Sequence, residues 1–258
     1  MEERNLKKKI FVLLVSIALL VGIFSGCTET ETNVGPEASF TAPDPAYVNT
    51  ELSFTDASTD DLAVETWAWN FGDEVGTSTE QNPMYTYTEV GTYTVTLKVT
   101  DEAGLEDTAT QTIDITLKDI VTTAIDSGFS TLATALEAAD LITTLQGEGP
   151  YTVFAPTDDA FAAVNQTWLT ALLDDTTNLT KVLTYHVVAD EVLAAEITDG
   201  LTVMTLEETN LTFTVDTGGN VTIDSSATVT TTDIECSNGY IHIIDTVLIP
   251  ASVNGPTE

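Results

Sequence analysis

Few side chains in this chain are equipped for chemistry: two histidines, His186 and His242, and two cysteines, Cys27 and Cys236, among 258 residues. A nucleophilic triad would need one of these imidazoles beside an activated serine, and no Gly-x-Ser-x-Gly elbow accompanies either. No His or Cys pair has zinc spacing and no glycine-rich phosphate cradle follows a strand-like run, which argues against zinc and nucleotides. Carboxylates are abundant, and two of them could flank a glycosidic bond, but such an enzyme needs a deep aromatic-lined cleft. The chain is therefore expected not to be an enzyme and is assigned no cofactor. Calcium is the remaining option, because hard oxygen ligands suit it. Asp56, Asp60 and Asp61 share one turn-rich stretch and are the candidate ligands, although no Asp-x-Asp-x-Asp-Gly loop surrounds them.

Cys27 has another chemistry open to it. Arg4, Lys7, Lys8 and Lys9 precede an apolar run from Ile10 to Phe24, and Ser25-Gly26-Cys27 follows. As a helix that run rises about 22 Å, short of the roughly 30 Å hydrocarbon core, which favours a cleaved export signal over a permanent span. Small residues ahead of a cysteine resemble the lipobox of prokaryotic lipoproteins, with Phe24 where Leu is usual. The resemblance implies a diacylglyceryl group on the Cys27 thiol and cleavage before it. Residues 1–26 are then a lipoprotein signal peptide, and the protein sits on the extracellular face of the cell membrane, held by lipid. Residues 27–37, acidic and Thr-rich, read as a tether whose ten or so extended residues reach on the order of 30 Å.

Beyond this leader, three lysines (Lys98, Lys118, Lys181) face 39 acidic residues and no arginine, a net charge of −36. Such a surface repels phosphate backbones and anionic lipids, which excludes nucleic acid as a partner. It suits solubility in a salty medium, where counterions screen self-repulsion within a few ångströms. With Cys27 lipidated, Cys236 has no disulfide partner and is expected to be a buried small hydrophobe.

From residue 38 to 117 apolar and polar residues alternate in short runs between turn signals, the pattern of an antiparallel β-sandwich. Tyr93, Val95, Leu97 and Val99 share one face of the longest run, and Thr94, Thr96 and Lys98 share the other. Trp69-Asn70-Phe71-Gly72-Asp73, Asn82-Pro83 with Tyr85 and Tyr87, Gly91-Thr92-Tyr93 and Val99-Thr100-Asp101 resemble, as an ordered set, the PKD domain. That resemblance implies an immunoglobulin-like sandwich that serves as a spacer or binds proteins and polysaccharides. Gly72 permits a sharp turn and Asp73 caps it, while Glu74 stands where the family usually has glycine. Trp69 is expected in the core, with Trp67 in core or edge packing.

After residue 118 the period changes. Phe129, Leu132, Leu136, Ala139 and Ile142 predict one amphipathic helix; Trp168, Leu172 and Leu173, then Leu179, Val182, Leu183 and His186, predict more, with Thr177 or Asn178 as an N-cap. Leu211, Phe213 and Val215, a turn over Asp216 to Asn220, then Val221 and Ile223 predict a hairpin, and Tyr240 to Ile249 a final strand. Tyr151 to Phe161 (YTVFAPTDDAF) and Asn238 to Pro250 (NGYIHIIDTVLIP) resemble the two signatures of the fasciclin domain, and Tyr185-His186 matches its short Tyr-His element. The resemblance implies helices packed on a β-wedge, found in proteins of cell adhesion and extracellular matrix, with Tyr-His tied to adhesion. A histidine on the apolar side of a helix also has a packing role, so Tyr185 and His186 are a candidate adhesion or structural motif. Four Asn-x-Ser/Thr sequons, at Asn165, Asn178, Asn210 and Asn220, are candidate glycosylation sites; composition alone gives about two or three.

The expected architecture is thus multidomain: an all-β immunoglobulin-like PKD sandwich at 38–117, an α+β fasciclin domain at 118–250, and a tail at 251–258. The expected role is adhesion or matrix contact, with an extracellular protein or polysaccharide as partner, homophilic contact included. The alternative is a surface binding subunit for a polysaccharide or small apolar ligand.

Overall fold

The computed structural model describes residues 32–255. The signal segment, Cys27 and the end of the tail lie outside the described residues.

The first half is all β. Its strands are β1 (Phe40–Thr41), β2 (Ala46–Tyr47), β3 (Leu52–Ser53), β4 (Thr55–Asp56), β5 (Val64–Asn70), β6 (Thr77–Ser78), β7 (Met84–Tyr85), β8 (Gly91–Asp101) and β9 (Glu106–Thr116). A five-stranded sheet in the order β2-β9-β8-β5-β6 is joined by the pairs β1-β4 and β3-β7. Alternation along β8 buries Val95, Leu97 and Val99 while Thr94 and Lys98 stay exposed, as period two requires. Trp69 is buried and Trp67 half-buried, its indole N–H donating to Asp56 at 2.7 Å. Phe71 stacks on Tyr85 at 4.0 Å between centroids, and the Tyr87 hydroxyl donates to the Phe71 carbonyl at 2.7 Å. The turn after β5 follows its residues: Gly72 has φ +81°, and a Cβ there would meet the Thr94 carbonyl oxygen at 2.5 Å. Asp73 Oδ1 accepts the N–H groups of Val75 and Gly76. Glu74 takes φ +70°, a left-handed conformation disfavoured for a residue with a Cβ.

The expected spacer through Glu37 is shorter than its composition suggests. Asn33 Nδ2 donates to Asp101 at 2.6 Å, Val34 N–H to Asp61 at 3.3 Å and Ala38 N–H to Asp107 at 2.7 Å, while Glu37 bridges Thr59. The sandwich therefore begins at Asn33. Local composition hides this because the partners lie 22 to 69 residues away.

In the second half, helices α1 (Ile120–Asp126), α2 (Ser130–Ala138), α3 (Ile142–Leu145), α4 (Asp158–Ala163), α5 (Gln166–Asp174) and α6 (Thr176–Tyr185) pack against a seven-stranded sheet. Its strands are β10 (Tyr151–Pro156), β11 (Val187–Val188), β12 (Thr202–Met204), β13 (Asn210–Val215), β14 (Val221–Ile223), β15 (Ala227–Cys236) and β16 (Gly239–Ile244), in the order β11-β10-β16-β15-β14-β13-β12. The hairpin β13-β14 pairs Val215 with Val221 across the expected five-residue loop. Three expectations need correction. The helix read from Phe129 to Ile142 is two, since Asp140 at φ +56° ends the first. The N-cap of α6 is Asp175, whose side chain accepts the Asn178 N–H. The final strand stops at Ile244, although Val247 and Leu248 beyond it are buried.

Thr157 caps α4 by accepting the Ala160 N–H at 3.1 Å, and Phe161 turns into the core. The two signature strands lie side by side, β10 parallel to β16, with Tyr151 opposite Gly239 and Pro156 opposite Ile244. Only Leu117, Lys118 and the cap Asp119 separate β9 from α1.

Candidate functional site

The Tyr-His element sits where α6 runs into β11. Tyr185 is 7% exposed and His186 2%. The Tyr185 hydroxyl donates to Asp224 at 2.6 Å, and burial together with that carboxylate pushes the phenol pKa upward. His186 is fixed at both ring nitrogens: Nδ1 lies 2.7 Å from the Val182 carbonyl, and Nε2 accepts the Leu248 N–H at 2.9 Å. An acceptor at Nε2 makes Nδ1 the donor, so the ring is the neutral Nδ1–H tautomer. Burial lowers its pKa to about 4.

His242, on β16, mirrors this arrangement. Its Nε2 lies 2.7 Å from the Val192 carbonyl and its Nδ1 accepts the Asp233 N–H at 3.2 Å, so it is the neutral Nε2–H tautomer; burial lowers its pKa as well. No ring nitrogen on either histidine is left to take a proton from a substrate. Cys236 is buried at the end of β15, and burial raises its thiol pKa, which keeps the less nucleophilic protonated form.

The second signature starts at Asn238, which ties together segments far apart in the chain. Its Oδ1 accepts the Ile120 N–H at 3.0 Å, its Nδ2 donates to the carbonyls of Leu145 and Gly147 at 2.7 and 3.0 Å, and its own carbonyl accepts the Tyr151 N–H at 3.0 Å. Gly239, at φ +144°, leaves no room for a side chain: a Cβ would lie 1.8 Å from the Tyr151 oxygen. An Asn-Gly pair in sequence announces only a turn, because a turn and a four-segment junction use the same two residue types.

The three candidate calcium ligands separate. Asp56 accepts from Trp67, Gln81 and the Ser58 N–H. Asp60 Oδ2 accepts the Ala63 N–H at 2.9 Å, and Asp61 accepts the Val34 N–H. Two buried oxygens have no hydrogen-bond partner: Oδ1 of Asp60 and Oδ1 of Asn33, the residue whose amide also donates to buried Asp101. Both are hard oxygen donors, and their segments are joined by the hydrogen bond from Val34 N–H to Asp61. Among the described residues no group of three or more His, Cys, Asp or Glu is assembled for a metal. Asn33 and Asp101 were invisible as a set because they are 68 residues apart.

Of the sequon asparagines, Asn165, Asn210 and Asn220 are exposed and Asn178 is half-buried. Asn165 caps α5, and the amides of Asn178 and Asn220 donate to Asp175 and Asp216. Among the described residues every aromatic ring is buried or half-buried. An enclosed apolar void between α1, α2 and β16 measures about 10 Å³, one water at most. No helix among the described residues is long and apolar enough to cross a membrane.

A family model described as a fasciclin domain matches residues 127–250, and one described as a PKD domain matches residues 33–117. Protein sll1483 of Synechocystis sp. is 47% identical over 124 residues, covering 47% of this chain and 67% of its own length. Transforming growth factor-beta-induced protein ig-h3 of Sus scrofa is 34% identical over 148 residues, covering 57% of this chain and 21% of its own. The crystal structure of the PKD1 domain of Vibrio anguillarum Epp is similar at 34% identity, covering 33% of this chain and 96% of that one, with a TM-score of 0.30.

Proposed function

The chain belongs to the fasciclin family, with a PKD domain ahead of its fasciclin domain, and from that premise we propose that it is a lipid-anchored surface protein of adhesion or matrix contact. The PKD sandwich is the stalk and the fasciclin domain the contact module. One observation carries this reading: both imidazoles and the Cys236 thiol, the side chains best suited to proton transfer or nucleophilic attack, are locked inside the fasciclin half. What remains outside is an acidic surface and sheet edges, suited to touching a partner rather than turning over a substrate. Tyr185 and His186 then act by holding the fold under that surface. The ligand-capture alternative draws no support from an aromatic row, since no described ring is fully exposed.

The anchor of this reading is the Cys27 thiol. Deleting residues 119–250 is expected to abolish surface attachment or aggregation of cells while export and lipid labelling of the remaining chain persist; attachment at the undiminished level refutes the contact-module role.

A further inference from the structure

The seven-stranded sheet of the fasciclin half does not close, and both of its edges border one cleft. β11 is the outermost strand on one side and β12 on the other. Two residues past the end of β12, the Leu206 N–H donates to the Val187 carbonyl of β11 at 2.8 Å. Beyond it the edges part around a cleft of about 570 Å³ lined by Val188, Val192 and Val203, with Asp190, Met204 and Glu208 at its exposed margin.

β12 meets β13 through its odd-numbered residues: the Phe213 N–H donates to the Leu201 carbonyl at 2.8 Å and the Thr205 N–H to the Thr209 carbonyl at 2.9 Å. Neighbouring residues of an antiparallel strand point their backbone groups to opposite sides. Thr202 and Met204 therefore turn N–H and C=O toward the cleft. Met204 is also 65% exposed, so apolar surface and unpaired backbone coincide.

We propose that this cleft binds an extended, basic polypeptide segment of an extracellular partner, by strand addition to β12. An unpaired edge supplies main-chain hydrogen bonds, and alternate side chains of the incoming strand reach the valine floor. Three edge residues run about 10 Å, which pairs about three residues of an incoming strand, so a hexapeptide spans the edge in either register. The sign of the partner follows from Asp190 and Glu208 and from a chain with 39 acidic residues and three lysines beyond its leader. Lysine or arginine on the incoming strand complements them, whereas a second copy brings like charge to like. This deepens the contact-module reading, on which it rests, by naming the partner's chemistry.

The test uses the full chain in detergent micelles and an acetylated, amidated (Val-Lys)₃ hexapeptide, with two isomers N-methylated at alternate backbone positions in either register. Hydrogen exchange of the Thr202 and Met204 amides is expected to slow at least tenfold at millimolar peptide. One N-methylated isomer is expected to lose at least tenfold in affinity, as is Met204→Pro, since proline is tolerated on an edge. Should that variant fail to fold, the peptide isomers decide alone. Equal binding by all three peptides, or unchanged exchange at the two amides, overturns the proposal. Self-association of the chain that Met204→Pro abolishes gives the cleft to a second copy and overturns it too. Attachment that depends on residues 119–250, without peptide binding, removes this inference and leaves the contact-module role standing.

Discussion

His186 Nε2 accepts the backbone N–H of Leu248 at 2.9 Å, so the Tyr-His element and the second fasciclin signature, 62 residues apart, are two sides of one buried hydrogen bond. The opposite ring nitrogen is engaged by Val182, and the imidazole is complete only when neutral.

Acid is therefore expected to unfold the fasciclin half through His186. Its folded pKa of about 4 lies below the ordinary imidazole value of 6.5, so the unfolded chain takes up the proton first as pH falls. The stabilisation is intact above about pH 6.5, declines between there and about 4, and amounts to roughly 3 kcal/mol for a fully buried ring. Urea melts at pH 7 and pH 4.5 of the chain and of His186→Gln measure this: the variant starts less stable and loses less on acidification. Equal losses in both would show that other groups govern the acid limb.

Asn238→Ala is expected to destabilise the same half by about 3 kcal/mol, because it strands the Ile120 N–H and the Leu145 and Gly147 carbonyls in part-buried positions. Asn238→Asp keeps the acceptor and loses the donor, so its urea midpoint should fall between the two. A midpoint for the alanine variant within error of the parent chain would contradict the junction role.

Glu74→Gly acts on the sandwich in the opposite direction. Relief of the left-handed strain is worth roughly 1–2 kcal/mol and the added freedom of the unfolded glycine takes back about half, leaving a gain of about 0.5–1 kcal/mol. A raised urea midpoint for the sandwich transition, with the fasciclin transition unmoved, is the expected result.

Calcium is expected to stabilise the sandwich selectively. At a hundred times its dissociation constant the gain is about 2.7 kcal/mol, read as a rise in the melting transition of the sandwich with CaCl₂ and not with MgCl₂ or NaCl at matched ionic strength. Asp60→Ala and Asn33→Ala, which each remove one of the two unpartnered oxygens, should cancel the rise. Equal shifts with magnesium would reduce the effect to charge screening.

Much of this fold is written in local pattern. The period-two face of β8, the β13-β14 hairpin and the Thr157 cap follow from residue type and spacing alone. What escaped the sequence reading depends on conformations or partners that residue type does not announce. Asp140 breaks a continuous apolar stripe by adopting φ +56°, and Asp175 outcompetes Asn178 for the α6 cap because it stands ahead of the first turn. Asn33 looks like part of a polar spacer until Asp101 arrives beside it. The cleft between β11 and β12 is the extreme case, since two edges meet only after the whole sheet has been ordered.

The parallel pairing of β10 with β16 sets Tyr151 against Gly239, and so fixes a timetable. Nearly ninety residues must be synthesised after the first of these strands before its neighbour exists, and closing so long a loop delays productive pairing. The sandwich, whose longest ladder joins β8 to the adjacent β9, waits less, since its most distant strand pair sets Ala46 against Ile115. An emerging chain therefore carries a finished sandwich and an open fasciclin half, and a stop codon anywhere before Gly239 leaves that half without β16.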